Sequence, residues 1–126
     1  MSGLVTLNGQ AHLLRLLVGQ ARSEPLVIRL FGNDHQPSMA DLRSDYQEIE
    51  DRSYKVRSLA GLMWTPRDGG GISYPEQVYA FTEHQDVYGY WLELERTGEV
   101  VAAERFRGAP FRVNPSDQIR ITPQVS

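Results

Sequence analysis

Three histidines, His12, His35 and His84, are the side chains best suited to move a proton near neutral pH or to hold a metal. No two of them stand at the H-x-x-x-H spacing of a zinc-binding helix. His84 has Glu83 on one side and Asp86 two residues on, donors enough for a divalent cation, but an ordinary polar turn accounts for the same residues. Asn33-Asp34-His35 sets an acid beside an imidazole, as in hydrolase triads. The nucleophile is missing there: no G-x-S-x-G elbow occurs, and Ser38 reads as a helix cap. A strand-ending Asx turn explains that cluster. Gly69-Gly70-Gly71 has the flexibility of a phosphate loop, yet no Gly-Lys-Ser/Thr follows, and the next element reads as a strand without a helix N-terminus. Glu104 lies inside an apolar strand, on the face that simple alternation gives to Val100, Ala102 and Phe106. A carboxylate there needs a partner, and a structural ion pair of Glu104 with Arg112, or else Arg120, is expected. A glycosidase-type acid would need a second carboxylate, which no pattern supplies. With no cysteine in the chain, thiolate chemistry is also excluded, so the residues point to no catalytic, metal or cofactor site.

The elements that would position these residues are mostly short strands. The densest signal is Asp86 to Phe106, DVYGYWLELERTGEVVAAERF. Its first half is β-branched and aromatic, the material of a central buried strand. Arg96-Thr97-Gly98-Glu99 supplies a turn, and Val100 to Phe106 returns. Before it, LVIRLF from Leu26 to Phe31 reads as a buried strand. Ile72 to Thr82 reads as a strand with Ile72, Tyr74, Val78 and Ala80 on one face, and Pro75 marks an edge or bulge. Tyr54 to Trp64 suggests another strand region, broken at Gly61. Phe111 to Val113 and Gln118 to Thr122 close the chain, with Ile119 and Ile121 inward. Two stretches carry helical spacing: Asn8 to Ala21, with Leu13, Leu14, Leu17 and Val18 on one stripe, and a short helix from Pro37 with Met39, Leu42, Tyr46 and Ile49 on one face. Ser2 to Leu7 reads as a short strand or arm. The sum is a mainly β chain: an antiparallel β-sandwich or jelly-roll-like barrel with an N-terminal helix and one short helix, one domain over 1–126 with 1–24 as arm and helix. Trp64, Tyr88, Tyr90, Leu92, Phe106, Ile119 and Ile121 are its expected core. Trp64, Tyr74, Tyr88, Tyr90 and Trp91 have the alternative of a sugar-stacking or docking surface.

At 126 residues the chain is long enough to bury a core without disulfides, and its 40% hydrophobic and 23% charged residues are those of an ordinary globular protein. The net charge of -3 argues against nucleic-acid binding, and the polar residues among the first twenty argue against a membrane span. Twelve of the thirteen basic residues are arginines, and after Glu104 come Arg105, Arg107, Arg112 and Arg120 against the single acid Asp117. Arginine suits partly desolvated contacts, so these four, with Leu13 and Leu17 of the N-terminal stripe, are the candidate protein-contact residues. A solvated face with intramolecular pairs is the other reading of the arginines.

Several features occur together in one order: Asn33 and Pro37 after an apolar strand, Trp64 before a glycine-rich loop, Tyr79-Ala80-Phe81-Thr82, Val87-Tyr88-Gly89-Tyr90, the Gly98 turn, Ala103-Glu104-Arg105-Phe106, and Asp117-Gln118-Ile119 with Thr122-Pro123. In that order the chain resembles the small virion structural proteins of tailed bacteriophages. It departs from them in lacking an acid before the turn glycine and a tryptophan before Ala-Glu-Arg-Phe. The resemblance implies a non-enzymatic particle component, made in the host cytoplasm and located in the virion. A capsid cement or decoration protein is expected first, bound to the major capsid protein or other virion proteins and itself a homo-oligomer, with a trimer favoured. A tail, baseplate or fibre-associated module is the alternative, and a small carbohydrate-binding or hydrolytic domain stands behind both.

Overall fold

The structure is a computed structural model that describes residues 4–5 (backbone), 25–38, 40–59, 64–68 and 70–125. It is built from antiparallel strands. A five-stranded sheet is ordered β1 (Leu4–Val5), β9 (Val100–Arg105), β8 (Gly89–Leu94), β2 (Leu26–Phe31), β3 (Arg57–Leu59). Beside it, β10 (Phe111–Val113) pairs with β7 (Gln85–Val87), and β11 (Gln118–Ile121) with β6 (Gln77–Ala80). The remaining ladder runs β12 (Gln124–Val125), β5 (Ile72–Ser73), β4 (Thr65–Pro66).

The aromatic strand β8 is central, as its composition requires: all six of its residues are buried because both faces are covered. Alternation sends Tyr90, Leu92 and Leu94, with Leu26, Ile28 and Leu30 of β2, into a main core that takes side chains from all four sheets. Phe31, Trp91, Val100 and Ala103 face the other way, where Tyr46 joins them in a second cluster. The turn forms as its residues predict, with Gly98 at φ 77° and the Gly98 N–H donating to Leu94 O at 2.8 Å. One irregularity escapes alternation. Leu92 is opposite Ala102 but Glu93 is opposite Val100, so Val101 is an extra residue in a β-bulge. Val101 and Ala102 therefore both reach the main core, and Val100 moves to the face away from Glu104.

Gly89 joins β7 to β8 at a point where no side chain fits. A Cβ there would stand 2.0 Å from Glu104 O and 2.8 Å from the Phe31 ring.

Two expected elements differ. The short helix from Pro37 is reduced to a single 3₁₀ turn, Arg43–Asp45, and Leu42 is 67% exposed while Tyr46 and Ile49 are buried. Local side-chain bonds compete there with the helix: Asp41 accepts from the Ser38 N–H and Asp45 from the Leu42 N–H. Ile72 to Thr82 is two strands, because Pro75 interrupts the ladder and resets the phase. Tyr79 and Phe81 are then inward and Ala80 outward, the reverse of continuous alternation. The N-terminal helix, with Leu13 and Leu17, lies outside the described residues, whereas Leu4–Val5 forms part of the expected N-terminal strand. Of the expected core, Tyr90, Leu92, Ile119 and Ile121 are buried, while Trp64, Tyr88 and Phe106 are partly buried at its margin.

Candidate functional site

Two networks of charged and hydrogen-bonding groups lie on the second face of the five-stranded sheet, beneath a strap formed by residues 33–38 and 40–50. Asn33 holds both ends of the strap's turn: its Nδ2 donates to Asp45 O at 3.1 Å and its Oδ1 accepts from the Gln47 N–H at 2.8 Å. The Ile49 N–H donates to Leu30 O at 3.0 Å, so the far end is tied to β2. Between these ties the Tyr46 ring stacks on Trp91 with centroids 4.9 Å apart, and Phe31 meets its edge at 5.0 Å.

Asp41 is the polar centre of the strap. Its Oδ2 accepts from the Ser38 N–H at 2.9 Å and from the Tyr46 hydroxyl, and lies 3.0 Å from His35 Nε2. Burial raises the Asp41 pKa, but the Tyr46, Ser38 and His35 bonds outweigh it and hold the carboxyl below its ordinary value. Burial, then the bond to Asp41, pushes the Tyr46 phenol well above its ordinary value. The acid that orients His35 is thus Asp41, six residues on. Asp34, the acid beside it in sequence, pairs with Arg105 Nη1 at 2.5 Å. Ser38 Oγ accepts from the Ala40 N–H at 3.2 Å and caps a turn. The arrangement is a hydrogen-bonded clasp of acid, imidazole and phenol.

A second network lies alongside. Glu93 is buried at 2% exposure, accepts from Trp91 Nε1–H at 2.8 Å, and has Arg29 Nε at 3.1 Å and Arg43 Nε at 3.3 Å. The Arg29 Nε contact is an ion pair by distance without the alignment of a hydrogen bond. Arg29 Nη1 reaches both oxygens of Glu48 at 2.9 and 3.1 Å, and Tyr54 donates its hydroxyl to Glu48 at 2.6 Å. The sequence signal for this network is a charge inside an apolar strand, Arg29 in LVIRLF and Glu93 in YWLEL, where a partner is obligatory.

Glu104 finds a different partner from the one expected. It is half-buried near the Tyr90 hydroxyl and Arg67, while that hydroxyl accepts from the Gln124 N–H at 2.9 Å and donates to Gln124 O at 3.5 Å. Burial raises its pKa above the ordinary value against the lowering effects of Tyr90 and Arg67. Arg112 does not pair with it, because β10 pairs with β7 and not with β9. The register sets Arg112 opposite Asp86, with Nε–Oδ1 3.0 Å and Nη2–Oδ2 3.3 Å. Arg120 pairs with Glu76 at 3.0 Å, and Arg105 also lies over the Tyr88 ring. Three of the four candidate contact arginines therefore have intramolecular partners. Arg107 is exposed and makes no bond among the described residues.

The remaining polar residues tie loops together. Asp51 accepts from the N–H groups of Ser53, Thr82 and Glu83 and from the side chains of Thr82 and Gln85. Desolvation opposes its ionisation, and the Thr82, Ser53 and Gln85 bonds more than offset that, so its carboxyl sits far below the usual range. His84 Nδ1 lies 2.7 Å from Asn114 Oδ1, and Asp86 is taken by Arg112, so the two are committed separately. Among the described residues no group of three or more His, Asp or Glu is placed to hold a metal. Trp64 meets the Tyr74 ring edge-on at 5.1 Å. Two open grooves flank the strap. One of about 560 Å³ lies between Gln47–Glu50 and Gln85–Asp86, and one of about 380 Å³ lies between Asp41–Ser44 and the turn Thr97–Val100.

No protein-family model, curated protein or solved structure matches this chain.

Proposed function

We propose that the chain is a non-enzymatic structural component of a tailed-bacteriophage virion, a capsid cement or decoration protein with the sheets arranged as a sandwich or jelly-roll-like barrel. The observation that carries this reading is the architectural role of the residues on which the resemblance rests. Gly89 sits where a Cβ would collide with Glu104 O, Gly98 takes positive φ in the hairpin turn, and Arg105 ties β9 to Asp34 of the strap. A catalytic signature fixes groups around a reacting atom; this one fixes a frame. The shared core beneath all four sheets supports the layered arrangement.

The mechanism is additive binding. A protein that binds the assembled shell and not its free subunits stabilises the shell by mass action, with no chemical step. The test is to purify particles from a host carrying the gene and to count and locate the copies by electron cryomicroscopy and labelling. Cement requires on the order of hundreds of copies following the symmetry of the head. A few copies at one vertex would replace this reading with a tail or baseplate component, and particles without the protein would end both.

A further inference from the structure

Two surfaces adjoin β7, and each displays a charged group that makes no bond among the described residues. On one side β10 carries Phe111, 44% exposed, with its ring stacked on Phe106 at 5.3 Å and 11° between planes. A ring backed by a second ring is a stiff apolar ledge, and aromatic residues with arginine dominate the centres of protein contacts. Arg107, exposed and unbonded among the described residues, stands in the turn beside it. On the other side of β7 is the groove of about 560 Å³, where Gly32 and Ile49 approach Asp86. Three acids line it. Glu48 is taken by Arg29 and Asp86 by Arg112, while Glu50 is exposed and its carboxylate makes no bond among the described residues. The ledge is carried by β10 and the groove is lined by Gln85 and Asp86 of β7, two paired strands about 5 Å apart.

We propose that the ledge of one copy seats in the groove of a second copy, Phe111 against the groove and Arg107 on Glu50. The charges at these two surfaces that make no bond among the described residues are Arg107 beside the ledge and Glu50 in the groove, and they are of opposite sign. Two copies thus present opposite free charges to each other there, which favours this encounter over like-charged approaches. The contact deepens the proposed multi-copy role and rests on it, but it is measured apart from any particle.

The experiment is light scattering of the purified full chain from micromolar to millimolar concentration, with circular dichroism to establish folding of each variant. The wild type is expected to exceed the monomer mass, as a reciprocal pair or a closed ring. Phe111→Ser should weaken association by more than about tenfold. Arg107→Glu and Glu50→Arg should each weaken it, and the double variant R107E/E50R should recover most of the loss, since it restores the pair with its signs exchanged. These two positions are exposed, so the exchange remains informative even if Phe111→Ser does not fold. A wild type that stays monomeric throughout, or a double variant no better than the singles, overturns the proposal. Self-association without incorporation into particles would leave the contact standing and overturn the virion role.

Discussion

Glu93 and Glu104 are two carboxylates eleven residues apart on paired strands, and their surroundings give them opposite effects on stability. Glu93 is buried between Arg29 and Arg43 and bonded by Trp91. Glu93→Gln keeps the indole bond and the shape but leaves Arg29 and Arg43 without their shared counter-charge, so unfolding in urea should show a loss of about 3 kcal/mol. Glu104 is half-buried, close to the neutral Tyr90 hydroxyl, and less ready to ionise than a free glutamate. Glu104→Gln keeps the shape of the side chain and removes a charge the site disfavours; it should raise stability at neutral pH by less than about 1 kcal/mol, because solvent still reaches the group. Glu93 in YWLEL, which sequence reasoning missed, carries the same signal as Glu104: both stand out as charges within apolar strands. Their partners do not, since whether Arg112 lies near Glu104 or Asp86 is decided by strand pairing, which residue types leave open.

The hairpin was legible at the level of the element. Aromatic and β-branched residues, a polar turn with one glycine and an apolar return specify β8, the turn and β9 without tertiary information. Its bulge was not, because one extra residue leaves the composition unchanged while shifting Val100 to the other face. The strap was misread as a helix for a related reason: its apolar spacing is set by contacts with Trp91 and Phe31, and Asp41 and Asp45 spend their carboxylates on local N–H groups. Two outcomes follow at this scale. Gly89→Ala forces a methyl against Glu104 O and should cost about 3 kcal/mol or prevent folding, read as a lower denaturation midpoint. Asp41→Asn removes the charge that strengthens the Tyr46, Ser38 and His35 bonds; amide exchange in residues 33–48 should become about tenfold faster while β8 and β9 keep their protection. Equal acceleration in the sheet would mean that the strap is not a separate unit.

For the molecule as a whole, these carboxylates combine into a dependence of stability on pH that has a maximum. Asp41 and Asp51 have folded-state pKa values depressed below 3.8, so their contribution is complete above that value and is lost as pH falls through the lower folded-state values. Glu104 has the opposite sign. Its folded-state pKa is raised above 4.5, so the folded protein takes up its proton first, and stability rises as pH falls from neutral through that raised value toward 4.5. Thermal unfolding followed from pH 7 downward should therefore show a small rise in melting temperature, a maximum between the ordinary values of 4.5 and 3.8, and a fall below it. Glu104→Gln should abolish the rise and leave the fall, since Asp41 and Asp51 are untouched. A wild-type profile that falls monotonically from neutrality would show that Glu104 is as readily ionised in the fold as in the unfolded chain. In that case the Tyr90 hydroxyl and the proximity of Arg67 would balance burial, and the charge on the second strand of the hairpin would neither favour nor oppose folding.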